Sequence, residues 1–318
     1  MRRFYQESWQ GIPFTDFAHT HFFHLADARF YSVFYEQLFR RYQTWDDLPE
    51  TWRKNKAADA AWLADRLRAR QKADPDGTLR VLSIGSGVGY MERMLIREMH
   101  GAVELYVNEP STVCMKWLRR LIPADRIFIG QPPDCLSPDI SYDMIYLSAV
   151  DYGIPQAQLE HTLEMLRYML RPGGEIICLS ASLLEEEGPV AGFVNFAKNC
   201  LRGVLHYIGI RRQQFWGWRR TRSEYLDLFR SCGFRGVQDG WLDDGFNTYW
   251  IRGTADEAEA GESAGTAPVQ EAGVPAQPAP AEAASAGTDS AADGGDAPEA
   301  SADSAERPAE EAAPSPRA

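Results

Sequence analysis

Eleven residues, Arg80 to Tyr90, constrain this chain more than any other stretch. They read R-V-L-S-I-G-S-G-V-G-Y. Arg80 to Ile84 is a short, largely apolar run of the kind that forms a buried parallel strand. It stops at Gly85, and Gly87 and Gly89 follow at alternate positions before Tyr90 to Leu95 takes up an amphipathic helical pattern. A strand, a glycine turn and a helix start together leave backbone N–H groups and a positive helix end open to a ligand, with no side chains between. On its own the same pattern is also a plain tight turn.

The spacing separates the ligand classes. A phosphate loop needs Gly-Lys-Ser/Thr after the turn, and this chain offers Gly89-Tyr90. A dinucleotide site spaces its glycines as Gly-x-Gly-x-x-Gly, whereas these lie two residues apart throughout. The rest of the chain alternates strand and helix patterns. Val103–Val107, Arg126–Ile129, Asp143–Leu147 and Glu175–Leu179 read as strands, with helices expected over Ser111–Leu121 and Gln158–Leu170. Two closing strands, Gly236–Gln238 and Thr248–Ile251, follow a capped helix at Thr221–Phe229. That order predicts an α/β fold with a doubly wound, mostly parallel sheet and an antiparallel last strand.

Val81 to Gly89 resembles the first motif of the class I S-adenosylmethionine-dependent methyltransferases, and residues 78–253 resemble their catalytic domain nearly end to end. The resemblance implies a Rossmann-like seven-stranded sheet and S-adenosyl-L-methionine as cofactor. It places Gly85, Ser86, Gly87 and Gly89 against the cofactor and puts Glu109, at the end of the second strand, on the ribose hydroxyls. Ser83 stands where the family has an acid that holds the methionine amine. Gln131, or else Asp134, stands near the adenine position, and Ser148 ends the fourth strand. Asp151 and Tyr152 follow at the acceptor-facing loop, where Asp151 either orients or deprotonates a hydroxyl or caps a loop. His21, with His19 and His24, is a candidate base from the N-terminal segment; no acidic partner completes a metal set, so no metal is expected.

The implied activity is methyl transfer to oxygen or nitrogen of a small or medium-sized acceptor. Arg211, Arg212, Arg219, Arg220 and Arg222 around Phe215, Trp216 and Trp218 suit an anionic or aromatic acceptor, or else pack a lid. The departures at Ser83 and Gln131 leave a catalytically silent scaffold as the alternative. Residues 1–77 are expected to form a helical cap, with Ala57, Ala61, Leu63 and Leu67 on or near one buried helix face, and about 183–220 a lid-like insertion. Residues 254–318 read as a disordered acidic tail rich in Ala, Glu and Pro.

Charge enters here. The formal net charge is -12, but from Asp256 onward 14 Asp/Glu stand against Arg307 and Arg317, so the rest is neutral. A neutral body gives no argument for a nucleic-acid partner. Five scattered cysteines and no long apolar run predict reduced thiols, a cytosolic location and no membrane partner. Oligomeric state is not written in the sequence.

Overall fold

The computed structural model describes residues 2–6, 8–9, 12–13, 28–73, 77–180, 182–184, 189–208, 214–243 and 245–255. His19, His21, His24, Arg211, Arg212 and the acidic tail beyond residue 255 lie outside the described residues.

Three short strands, β1 (Arg2–Gln6), β2 (Ser8–Trp9) and β3 (Ile12–Pro13), precede helices α1 (Ala28–Arg41) and α2 (Glu50–Gln71). The alternating region follows as β4 (Leu79–Ile84), α3 (Tyr90–Met99), β5 (Val103–Glu109), α4 (Met115–Leu118), β6 (Ile127–Ile129), β7 (Tyr142–Ser148), α5 (Gln156–Tyr168) and β8 (Leu170–Ser180). After it come β9 (Leu183–Leu184), α6 (Pro189–Tyr207), β10 (Gln214–Thr221), α7 (Arg222–Ser231), β11 (Arg235–Trp241) and β12 (Tyr249–Thr254).

The main sheet has the order β11-β12-β8-β7-β4-β5-β6. Strands β6, β5, β4, β7 and β8 run parallel, and β12 is antiparallel to both of its neighbours. Burial on both faces explains the largely apolar runs Val81–Ile84, interrupted only by Ser83, and Met144–Leu147. One face packs α5 and α7 through Leu159, Leu163, Leu166, Tyr225 and Phe229. The other packs α2 and α3 through Leu63, Leu67, Met91 and Leu95. A third, aromatic cluster joins α1 to Phe4, Tyr90, Trp117 and Trp218.

Several elements differ from the sequence reading. The helix expected over Ser111–Leu121 is a 3-10 turn at Thr112–Cys114 followed by the four-residue α4. The buried face of α2 is Lys56, Asp59, Ala60, Leu63, Ala64 and Leu67, while Ala61 is exposed. Lys56 and Asp59 are tolerated inside because they pair with each other at 2.7 Å. Gln214–Thr221 of the arginine-rich stretch is a strand, β10, paired with β1. Its described arginines do not form one patch. Arg220 is buried, Arg222 pairs with Asp239, and Arg219 lies over the Phe4 ring at 4.7 Å. All five cysteines are free.

Candidate functional site

The chain leaves β4 toward β5 and β6, then crosses back to β7 on the other side of β4. At such a reversal the connections diverge and open a crevice at the carboxyl ends of the strands. Here that crevice is a cavity of about 150 Å³ with mostly apolar walls. Ser83 to Val88 form its floor, Asn108, Glu109 and Gln131 one side, and Ser148 to Val150 with Tyr152 the other. Tyr31, Phe34 and Tyr35 from α1, with Trp52 and Lys56 from α2, close it.

The glycine loop has the backbone that its sequence demands. Gly85, Gly87 and Gly89 have φ of +67°, +57° and +72°, values that L side chains rarely adopt. Space is equally restrictive, since a Cβ at Gly87 would lie 2.7 Å from the Tyr35 hydroxyl and one at Gly85 2.6 Å from Val150. The indole of Trp45 donates to the Val88 carbonyl at 2.7 Å and ties the N-terminal segment to this loop.

Glu109 ends β5 beneath the loop. Its carboxylate accepts from the Gly87 N–H at 2.8 Å and the Ser111 N–H at 3.0 Å. Burial outweighs these donors and pushes the carboxyl up to about 7. Because that exceeds the ordinary 4.5, the native state holds this proton more tightly than the unfolded chain does. The resulting stabilisation is full below about pH 4.5 and is lost as pH rises through about 7, a change of roughly 3 kcal/mol. Thermal unfolding measured from about pH 5 to 8 should show this fall, and Glu109→Gln should flatten it. An unchanged slope in that variant would assign the proton elsewhere.

Five-strand parallel pairing, an antiparallel β12 inserted between β8 and β11, and an acid closing β5 under a glycine loop now stand together. The chain has a Rossmann-like α/β fold with one antiparallel strand set between two strands of the parallel sense. No protein-family model and no curated protein matches it. Similar solved structures include human N-acetylserotonin methyltransferase in complex with SAM, at 20% identity over 56% of this chain and 47% of that one, with TM-score 0.40. Others are Streptomyces venezuelae DesVI, at 16% identity over 64% and 92% with TM-score 0.42, and the SAH complex of DhpI, at 16% over 73% and 96% with TM-score 0.45. The chain thus spans about half the length of the human enzyme.

Within that fold the residues expected from sequence fall in two groups. Ser83, Gly85, Ser86, Gly87, Glu109, Gln131, Ser148 and Tyr152 all line the cavity. Gly89 instead starts α3 and backs onto Leu118, and Asp151 does not line the cavity. Asp151 is buried on the far side of its turn, where its carboxylate accepts from the Ser180 hydroxyl at 2.9 Å and from Tyr225. Of the two roles open to it from sequence, this packing fits the loop-cap one.

Sequence reasoning missed Glu92. This buried residue in the first turn of α3 accepts from the Ser83 hydroxyl at 2.6 Å and from the Tyr146 hydroxyl at 2.8 Å. Its second carboxylate oxygen is buried without a hydrogen-bond partner among the described residues, and burial raises its pKa. The acid absent at Ser83 is thus present beside it, carried by the helix instead of the strand. Lys56 was missed as well. Its ammonium bonds Asp59 at 2.7 Å and the Ser148 hydroxyl at 2.8 Å, at the end of β7. A glutamate three residues past the last glycine was the available signal for the first; for the second there was none.

Proposed function

We propose that this protein is an S-adenosylmethionine-dependent methyltransferase that acts on oxygen or nitrogen of a small or medium-sized acceptor. The observation that carries the reading is the Glu109 carboxylate bonded to the Gly87 N–H under a glycine loop that admits no side chain. The residues fit the cofactor. Glu109 would accept hydrogen bonds from the ribose diol, and the unpartnered oxygen of Glu92 would receive the methionine ammonium. Asn108 bonds the Phe128 and Gly130 carbonyls at 3.2 and 3.0 Å and so fixes the turn that carries Gln131 to the adenine end. When bound, S-adenosylmethionine supplies a methyl group on a cationic sulfur.

At the acceptor end, Tyr31, Phe34, Trp52 and Tyr152 provide aromatic walls that exclude water, and Lys56 sets a cation beside Ser148. That combination suits a planar or anionic acceptor. Residues 1–77 act in this reading as the cap over a catalytic domain of residues 78–253.

One observation favours a silent scaffold instead. The Tyr35 hydroxyl stands over Gly87, where an added Cβ would meet it at 2.7 Å, and a cavity of about 150 Å³ is smaller than this cofactor. Calorimetric titration with S-adenosylmethionine and its demethylated product distinguishes the two: saturable binding of both supports the enzyme, and binding of neither establishes the scaffold.

A further inference from the structure

Glu92 is the less satisfied of the two acids that line the cavity. It lies in the first turn of α3 and is 1% exposed. Its hydrogen bonds are one-sided. Oε1 accepts from both the Ser83 and the Tyr146 hydroxyls, at 2.6 and 2.8 Å, whereas Oε2 is buried with no hydrogen-bond partner among the described residues. Glu109 differs, because a backbone N–H reaches each of its oxygens.

That asymmetry places a proton. An ionised oxygen sealed from water without a donor is penalised, whereas a protonated carboxyl keeps one oxygen as acceptor and carries the hydrogen on the other. With Oε1 taken by two donors, the proton belongs on Oε2. The surroundings agree. Tyr146, from β7, is held neutral by burial, and Glu109, from β5, is a second acid close enough for the two charges to repel. Lys56, from α2, is the cation whose charge bears on Glu92, but its ammonium is bonded to Asp59 and Ser148. Burial is the largest influence and raises the Glu92 pKa.

We propose that the empty site holds Glu92 as a neutral acid, and that a ligand bearing an ammonium group binds by expelling this proton. An ammonium and a protonated Oε2 both present hydrogens, so they do not bond to each other. For the pair to form, the O–H bond at Oε2 breaks, the proton passes to the buffer, and Oε2 accepts an N–H from the ligand. Binding is thereby tied to pH. Affinity for an ammonium ligand rises with pH, by up to about tenfold per unit for one proton, and levels off once the acid of the empty site is ionised. The choice of ligand rests on the cofactor reading above; the protonation state of Glu92 does not.

The test is calorimetric titration of the full chain from about pH 5 to 7, in buffers of different ionisation enthalpy, with S-adenosylhomocysteine and with 5′-methylthioadenosine. An α-ammonium of pKa about 8 stays charged over this range. Both ligands carry the ribose assigned to Glu109, and only the first has the amino-acid end, so their difference isolates Glu92. S-adenosylhomocysteine should release about one more proton at the acid end of the range, and its affinity should rise more steeply with pH. Glu92→Gln copies the shape of the protonated acid, with an amide oxygen for Ser83 and Tyr146, and cannot ionise. That variant should keep the wild-type melting temperature at about pH 5 and lose the extra slope. Equal proton release by the two ligands, or a slope for S-adenosylhomocysteine that Glu92→Gln leaves unchanged, would overturn the proposal with the cofactor reading intact. Binding of neither ligand would overturn both.

Discussion

Replacing Arg220 with alanine is expected to destabilise the protein by about 3–5 kcal/mol, enough to unfold much of a marginally stable domain at physiological temperature. The guanidinium is fully buried and serves three acceptors. It donates to the Asp151 carbonyl at 2.8 Å, the Ile154 carbonyl at 2.8 Å and the Gln156 side chain at 2.9 Å. Its loss leaves two buried carbonyls without this donor and opens a hole the size of a guanidinium. Arg220→Lys should recover little, because one ammonium cannot reproduce a planar fork reaching three acceptors. Chemical denaturation of both variants is the measurement. A loss below about 1 kcal/mol in the alanine variant would mean that water enters and substitutes for the side chain.

The second large effect is on ligand affinity. Glu109→Ala should weaken S-adenosylmethionine binding by about a hundredfold, the scale of two hydrogen bonds from a diol. It should also cost stability, since the Gly87 and Ser111 N–H groups both lose their acceptor. Comparison with Glu109→Gln separates these effects. The amide oxygen can still receive one backbone N–H, so the glutamine variant should regain stability while its affinity stays low. Calorimetric titration of both variants, beside their melting temperatures, reads out the two quantities independently. Wild-type affinity in both would remove Glu109 from the site.

The strand-loop-helix unit at Arg80–Tyr90 and the alternation after it were enough to give the doubly wound sheet with its antiparallel strand, because buried parallel strands and their crossovers impose local patterns. Continuous apolar runs, helical periodicity and obligatory glycines are properties of neighbouring residues, and they are visible without any partner. Glu109 was legible only through the family resemblance, which implies an acid at the end of the second strand.

What remained was decided across the fold. Whether a charged residue faces water or lies inside depends on groups distant in sequence. Lys56 is held by Ser148, 92 residues away, as well as by Asp59. Glu92 lies under Ser83 and Tyr146 because α3 packs onto the sheet there, and no periodicity distinguishes it from an exposed helical acid. Asp151 and Arg220 looked like candidates for acceptor chemistry until packing placed 69 residues' separation within one hydrogen bond and turned both into the interior. Sequence determined the backbone frame and the cradle, through local conformational preference. Tertiary structure alone decided which charges meet inside it, because burial and pairing are properties of the assembled surfaces.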